Sequence, residues 1–151
     1  MRRFTLLCCL CLFVMTCTKD YYNPIPSRYV YLEIDLQYRD KVLFNNLLSH
    51  KIFTTKNTTH GKEYPGYAGV LVTYTIFGEY KAFDIACPNE VRQDAIIEID
   101  DEYNAVCKIC GSKYEVMLNY GSGVCIGGPS KYPLRPYRTS LRNKTLIVRN
   151  N

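Results

Sequence analysis

Apolar and polar side chains alternate over residues 29–38, and this alternation predicts a strand with one buried face. In "YVYLEIDLQY" every second side chain is apolar or aromatic, while most of those between them are polar. Successive side chains of a strand lie on opposite faces, so one set is expected in a core. The residues predicted to face that core are Val30, Leu32, Ile34, Leu36 and Tyr38. The next stretch, "KVLFNNLLSH", loses the period and predicts a short helical turn.

Further short strands, separated by turn residues, run through the rest of the chain. The strongest are "VLVTYTIF" and "YKAFDIAC", which are joined by a turn at Gly78 and Glu79. Shorter strands are predicted at "AIIEID", "YEVML" and "VCI", and a closing hairpin joins "YRTSL" to "TLIVR" across "RNK". The polar segment "TTKNTTHGKEYPG" is expected to be a loop. Short strands without a long helix predict an all-β domain, a small antiparallel sandwich or barrel.

The N-terminal segment has the pattern of an export signal. Two arginines precede an apolar run from Phe4 to Met15, which is too short to span a bilayer and suits a signal-peptide core. The run leads into "FVMTC", which resembles a bacterial lipobox, and this resemblance implies that Cys17 is acylated. We expect a signal peptide over 1–16, a lipidated tether over 17–28 and a β domain over 29–151. The protein would then be an outer-membrane lipoprotein of the cell envelope; the alternative is an ordinary signal peptide.

Composition and charge narrow the function classes. The chain has 151 residues, of which 47% are hydrophobic, with 14 tyrosines and no tryptophan, so it is long enough to bury a core. Its net charge of +5 is mild and scattered, and we expect no nucleic-acid partner. No Ser/His/Asp set or carboxylate pair stands out, which argues for a binding or electron-transfer protein and not an enzyme. Its partner in the envelope is unknown.

Four cysteines lie in the predicted domain: Cys87, Cys107, Cys110 and Cys125. An even number of cysteines in an exported chain predicts two disulfides. The Cys-x-x-Cys spacing of Cys107 and Cys110 also suits metal ligation. A thioredoxin-like redox pair is disfavoured because this motif precedes a strand and not a helix.

The segments "AFDIACPNE", "CKICGSKYEV" and "GGPSKYPLRPY" resemble the Rieske family, over most of the chain from Tyr29 to Val148. The chain is most similar to the Rieske-like lipoproteins of Bacteroidota. Rieske proteins bind a [2Fe–2S] cluster through two cysteines on one iron and two histidines on the other. The resemblance implies a Rieske-like β domain with ancestral one-electron transfer, in which Cys87 and Cys107 are the cysteine ligands.

The same resemblance assigns the residues around the cluster. It implies that the hydroxyl groups of Ser112 and Tyr114 hydrogen-bond the cluster sulfurs and that Pro129 lies in the loop that covers the cluster. The two histidine positions, however, hold Asn89 and Cys110. The chain's histidines, His50 and His60, lie upstream of both motifs and are expected at the surface. A standard two-histidine site is therefore excluded.

Three interpretations remain open. A cluster could persist with Cys87, Cys107 and Cys110 as ligands, helped by Asn89, Cys125 or water. Zinc could instead be held by the four cysteines, which are a suitable structural set. The third interpretation is a metal-free binding or assembly module stapled by disulfides. In Rieske proteins the two cysteine ligands bind the same iron. For a metal-free chain, the resemblance therefore implies a disulfide between Cys87 and Cys107, with Cys110 as a competing partner.

Overall fold

The computed structural model describes residues 22–59 and 61–150, which form two antiparallel β-sheets. The all-β prediction is confirmed. The predicted signal peptide, Cys17 and all but the end of the tether lie outside the described residues. The strands are β1 (Val30–Asp35), β2 (His50–Phe53), β3 (Tyr64–Pro65), β4 (Val70–Tyr74), β5 (Tyr80–Asp84), β6 (Ile97–Ile99), β7 (Asn104–Cys107), β8 (Lys113–Glu115), β9 (Cys125–Gly127), β10 (Pro136–Arg142) and β11 (Thr145–Arg149), and a 3-10 helix spans Lys41–Leu43.

The larger sheet is nearly closed and barrel-like. Its seven strands follow the order β2-β4-β5-β10-β11-β1-β3. Strand β1 alternates as its sequence predicts, with Val30, Leu32 and Ile34 fully buried between more exposed neighbours. The hairpin of β10 and β11 closes at the pair Arg142 and Thr145, which agrees with the turn predicted there.

The smaller sheet has four strands in the order β6-β7-β8-β9. These strands follow one another in the chain between β5 and β10, which are themselves neighbours in the larger sheet. Where the insert departs and returns, Phe83 of β5 pairs with Pro136 of β10. A further bridge, between Ala86 and Ile96, leads from the end of β5 towards β6. The cysteine-bearing loops lie within this continuous insert.

Each sheet contributes to a separate cluster of buried apolar side chains. Burying a large aliphatic side chain contributes about 1.5–3 kcal/mol, so both clusters are substantial sources of stability. The first comprises Val30, Leu32, Ile34, Leu36, Leu43, Phe53, Val70, Val72, Ala82, Tyr137, Leu146 and Val148. The second comprises Leu71, Phe83, Ile85, Cys87, Ala95, Ile97, Ala105, Cys107, Tyr114, Val116, Met117 and Leu134. Two of the cysteines are therefore part of the second core.

Several details differ from the sequence predictions. The first strand ends at Asp35 and not at Tyr38, because the Asp35 carboxylate accepts the backbone N–H groups of Gln37 and Tyr38 and turns the chain. The Tyr38 side chain is consequently 72% exposed and does not face the core. Strands β2, β3 and β7 were not predicted, because each has only two to four residues. Strand β3 lies within the segment that was expected to be a loop, and β7 runs directly into the cysteine motif. No helix in the described part of the chain is long and apolar enough to cross a membrane.

Candidate metal centre

Two loops bring three cysteines together at one end of the smaller sheet. Cys87 follows β5, Cys107 is the last residue of β7, and Cys110 lies in the turn between β7 and β8. Their Sγ atoms all lie within 4.8 Å of one another. The Sγ atoms of Cys87 and Cys110 are 3.6 Å apart. Cys87 and Cys107 are fully buried, whereas Cys110 is half-buried, so the group is reached from the Cys110 side.

The first loop is held by backbone hydrogen bonds around Cys87. Its carbonyl accepts the N–H groups of Glu90 at 3.1 Å and Val91 at 2.9 Å, and its own N–H donates to Ala95 at 2.8 Å. Val91 has φ of 53°, a left-handed conformation that is unfavourable for a β-branched residue. The Tyr67 hydroxyl stabilises this strained conformation by donating a hydrogen bond to the Val91 carbonyl at 3.3 Å. Such strain is common at functional sites.

The second loop is a tight turn that folds Cys110 back over Cys107. The Gly111 N–H donates to the Cys107 carbonyl at 2.8 Å, and the Cys107 N–H donates to the Ser112 carbonyl at 2.9 Å. Gly111 has φ of 73°, which glycine adopts without a Cβ clash. The turn thus gives the Cys-x-x-Cys spacing a defined geometry.

Hydroxyl groups lie against two of the sulfurs. The Tyr114 hydroxyl is 3.5 Å from the Cys87 Sγ, and the Ser112 Oγ is 3.2 Å from the Cys110 Sγ. Both residues are fully buried. They can donate hydrogen bonds to thiolates, which stabilises the charged form that metal ions require.

A third loop packs on this arrangement through Ser130. Its backbone N–H donates to the Ser112 Oγ at 3.1 Å, and its hydroxyl donates to the Tyr132 carbonyl at 2.9 Å. Sequence reasoning placed Pro129 in a covering loop but did not single out Ser130. Pro129 itself is exposed. The contact to Ser112 is therefore made by the backbone after the proline.

The two cysteines nearest each other have different proton affinities. Burial raises the pKa of the Cys87 thiol to about 12, although the Tyr114 hydroxyl opposes the shift. Burial also acts to raise the pKa of Cys110, but hydrogen bonds from the Ser112 side chain and backbone, together with the neighbouring thiols, outweigh it and lower that pKa. Cys110 is thus the more readily ionised of the two. Burial raises the pKa of the Tyr114 hydroxyl as well, which keeps it a hydrogen-bond donor.

Asn89 and Cys125 do not join the three cysteines in the structure. Asn89 is exposed, and its amide donates to the Glu90 carboxylate at 3.0 Å. Cys125 pairs with Tyr114 across β8 and β9, but its thiol donates to the Gly127 carbonyl at 3.2 Å. His50 is an exposed residue of β2, as expected, and His60 lies outside the described residues. All four cysteines of the described chain are free thiols, so the Cys87–Cys107 disulfide is not formed.

Asp84 anchors the end of β5 just before Cys87. Its buried carboxylate accepts the Tyr137 hydroxyl at 2.7 Å, the Ala86 N–H at 2.9 Å and the Tyr67 N–H at 3.1 Å. Burial raises the pKa of this carboxyl group despite these donors. This role of Asp84 was not predicted, because the partners of its carboxylate come from three separate segments. Asp84 fixes the point at which the chain leaves the larger sheet for the first loop.

Compared with known proteins, the chain matches no family model and no curated protein. The structural description of the site therefore depends on its own residues. Three cysteine sulfurs lie within 4.8 Å of one another, and two of them lie beside buried hydroxyl groups. They form a group that could hold a metal ion. Thiolate ligands favour soft or borderline ions such as Zn²⁺, Cu⁺ and iron.

Proposed function

We propose that this protein is a Rieske-like lipoprotein of the cell envelope that binds metal through Cys87, Cys107 and Cys110. The observation that supports the proposal best is the convergence of the three Sγ atoms within 4.8 Å. They come from two loops that the chain holds in place by separate hydrogen-bond systems. The protein acts as a binding component and not as a catalyst.

The residues present do not fit a standard Rieske cluster. Such a cluster needs two protein ligands on each of its two irons. The described chain groups three sulfur ligands, and Asn89, at one lost histidine position, is a neutral side chain that contacts Glu90. One-electron transfer through [2Fe–2S] is accordingly the ancestral activity that the resemblance implies, and thiolate metal binding has replaced it.

The metal proposal is tested on protein purified from its native envelope without oxygen. We expect bound metal, and protection of the three cysteines from alkylation that a chelator removes. A Cys125→Ser variant is the matched control. In the wild-type protein the Cys125 thiol donates to the Gly127 carbonyl and lies outside the group of three. Bound metal in that variant, and its loss when all three grouped cysteines are replaced by serine, would support the assignment.

A second candidate is the metal-free, stapled binding module. The 3.6 Å separation of the Cys87 and Cys110 sulfurs favours it, because neighbouring thiols pair readily in an oxidising compartment. Forming the bond transfers two electrons and two protons to an envelope thiol oxidant, such as a disulfide donor. Non-reducing peptide mapping that finds Cys87 bonded to Cys107 or Cys110, with no metal in the same sample, would establish this alternative and reject the metal site.

Membrane anchoring through Cys17 is the remaining part of the proposal. Two or more acyl chains give firm attachment, whereas a single chain gives only marginal attachment. A Cys17→Ser variant should move the protein to the soluble fraction and abolish fatty-acid labelling. Unchanged membrane association of that variant would reject the lipoprotein assignment without affecting the metal proposal.

A further inference from the structure

The geometry points to a site for one metal ion: we infer that Cys87, Cys107 and Cys110 all ligate the same ion, and that this ion is Zn²⁺. The inference rests on the proposed function, because it requires that the site binds metal. It goes further by fixing the number of ions, the shared ligation and the chemical class of the metal. It also departs from the two-iron centre that the family resemblance implies.

The separations between the sulfurs support a single ion. A tetrahedral ion with metal–sulfur bonds of about 2.3 Å holds its thiolates roughly 3.8 Å apart. The Cys87 and Cys110 sulfurs are 3.6 Å apart, and Cys107 completes a group no wider than 4.8 Å. One ion therefore reaches all three with only small side-chain movements.

A two-iron cluster would need a different arrangement. Its two irons are bridged by sulfides, so ligands of different irons lie at opposite ends of the cluster. Cys110 occupies a position where the Rieske pattern has a ligand of the second iron. Its sulfur instead lies against Cys87, a ligand of the first iron. The two loops would have to separate to admit the second iron, although Cys87 and Cys107 are fully buried in the core.

The fourth coordination position has to come from solvent. Within residues 22–59 and 61–150, no fourth histidine, cysteine or carboxylate ligand joins the group. The Ser112 and Tyr114 hydroxyls contact the sulfurs themselves, and once the thiols are ionised they can donate to the thiolates. Cys110 is the half-buried member, so water enters on its side. Zinc accepts water as a fourth ligand beside three protein ligands, as it does in catalytic sites, whereas structural sites have four protein ligands.

Charge favours a divalent ion at this site. Three thiolates carry three negative charges, and burying uncompensated charge is unfavourable. The hydrogen-bonding partners of the Cys87 and Cys110 sulfurs in the described structure are hydroxyls, thiols and backbone groups, not lysine or arginine side chains. Zn²⁺ leaves a net charge of −1, whereas Cu⁺ leaves −2. Both ions favour thiolate ligands, so the residual charge favours zinc over Cu⁺. Fe²⁺ leaves the same charge as Zn²⁺ but has the lower affinity for such a site.

The experiment measures nuclearity and ligands on the full-length chain purified anaerobically from its native envelope. Metal analysis should give one zinc ion per chain, with no acid-labile sulfide. After exchange with Co²⁺, the visible spectrum should show tetrahedral cobalt, and the thiolate-to-cobalt charge-transfer band should weaken in Cys110→Ser. Cys110 is the informative position because it is half-buried and outside the fully buried core. Circular dichroism verifies that the variant is folded, and Cys125→Ser should keep the full band.

The outcomes separate this inference from the proposed function. Two irons and two sulfides per chain would overturn the single-ion site while leaving metal binding intact. A single copper or iron ion would keep the nuclearity and overturn the zinc assignment. A cobalt spectrum unchanged in Cys110→Ser, or lost in Cys125→Ser, would overturn the shared ligation. Protein without any metal, and with three freely titrating thiols, would reject the proposed function itself.

Discussion

The Cys87 and Cys110 sulfurs lie 3.6 Å apart, although the two residues are separated by 23 positions in the chain. In the pairing of β6 with β7, Ile97 lies opposite Cys107. This pairing brings the second loop, which contains Cys110, back to the end of β5, after which Cys87 follows. The thiol of Cys110 thus contacts the first loop directly.

The first prediction concerns the reactivity of the two thiols in metal-free protein. The thiolate is the nucleophile, so the thiol with the lower pKa is alkylated at lower pH. Hydrogen bonds from Ser112 lower the pKa of Cys110, whereas burial raises that of Cys87 to about 12. Iodoacetamide near neutral pH should label Cys110 first and leave Cys87 unmodified until the protein unfolds. Peptide mapping by mass spectrometry measures the order.

Ser112→Ala provides the control for that experiment. The substitution removes the hydroxyl that lies 3.2 Å from the Cys110 sulfur, so labelling of Cys110 should require higher pH. Equal labelling rates for Cys87 and Cys110 in the wild-type protein would show that the two thiols do not have the environments described.

The second prediction concerns the Tyr114 hydroxyl. Tyr114→Phe keeps the buried ring but removes the donor 3.5 Å from the Cys87 sulfur. Hydrogen bonds to charged groups contribute about 1.5–3 kcal/mol, so metal affinity should fall by roughly tenfold or more. Competition with a chromophoric chelator measures the affinity. The exposed Tyr103 supplies the matched control, and an equal loss in Tyr103→Phe would contradict a specific contact.

The third prediction separates backbone strain from steric contact at two glycines. Gly111 and Gly128 have φ of 73° and 90°, so alanine is strained at both, by about 1–2 kcal/mol. A Cβ at Gly111 meets nothing within 4 Å, whereas a Cβ at Gly128 would lie 2.6 Å from the Ser112 Cα. Gly128→Ala should therefore lower the free energy of unfolding more than Gly111→Ala does. Urea unfolding of the metal-free variants measures both values.

Metal binding gives a second readout for the same pair. The clash at Gly128 displaces the third loop from Ser112 and breaks the hydrogen bond from the Ser130 N–H, so metal affinity should fall. Gly111→Ala should affect it less. If the two variants lose equal stability and equal affinity, the close approach of the third loop is not important for the site.

The fourth prediction introduces the histidine ligands of the Rieske pattern at positions 89 and 110. Asn89 is exposed and Cys110 is half-buried, so an imidazole at either position does not have to enter the fully buried core. Anaerobic reconstitution with iron and sulfide should give two irons per chain in Asn89→His/Cys110→His and fewer in the wild-type protein. The single variant Cys110→His is the control. Wild-type protein that takes up two irons as completely as the double variant would contradict the single-ion site.

The fold was largely predictable because its strands alternate over enough residues to be recognised. Val30, Leu32 and Ile34 are buried where the pattern of β1 placed them. Tyr38 continued the same period, but the Asp35 carboxylate ends the strand by a local turn that periodicity does not detect. Short strands such as β7 were missed, since three or four residues give little periodic signal. Pairing with their neighbours, which is a tertiary property, defines them.

The candidate site was predictable in its residue types and not in its arrangement. Spacing and resemblance identified Cys87, Cys107 and Cys110, and the structure places their sulfurs together. That Cys125 is excluded depends on the direction of its side chain on β9, where it bonds to Gly127. Ser130 and Asp84 were missed because they act through contacts with distant segments. Such contacts leave no pattern in a single sequence.

The pairing of Phe83 with Pro136 also has a consequence for how such a protein can evolve. The chain leaves the larger sheet and rejoins it at adjacent positions. The segment from β6 to β9 is therefore an insert whose two ends are fixed by the pairing of β5 with β10. The strand order of the larger sheet does not depend on what the insert carries between those two ends. A change among the insert's ligating side chains would therefore change the ion that can bind and leave the order of the outer strands as it is. One framework could in this way accommodate different metal sites.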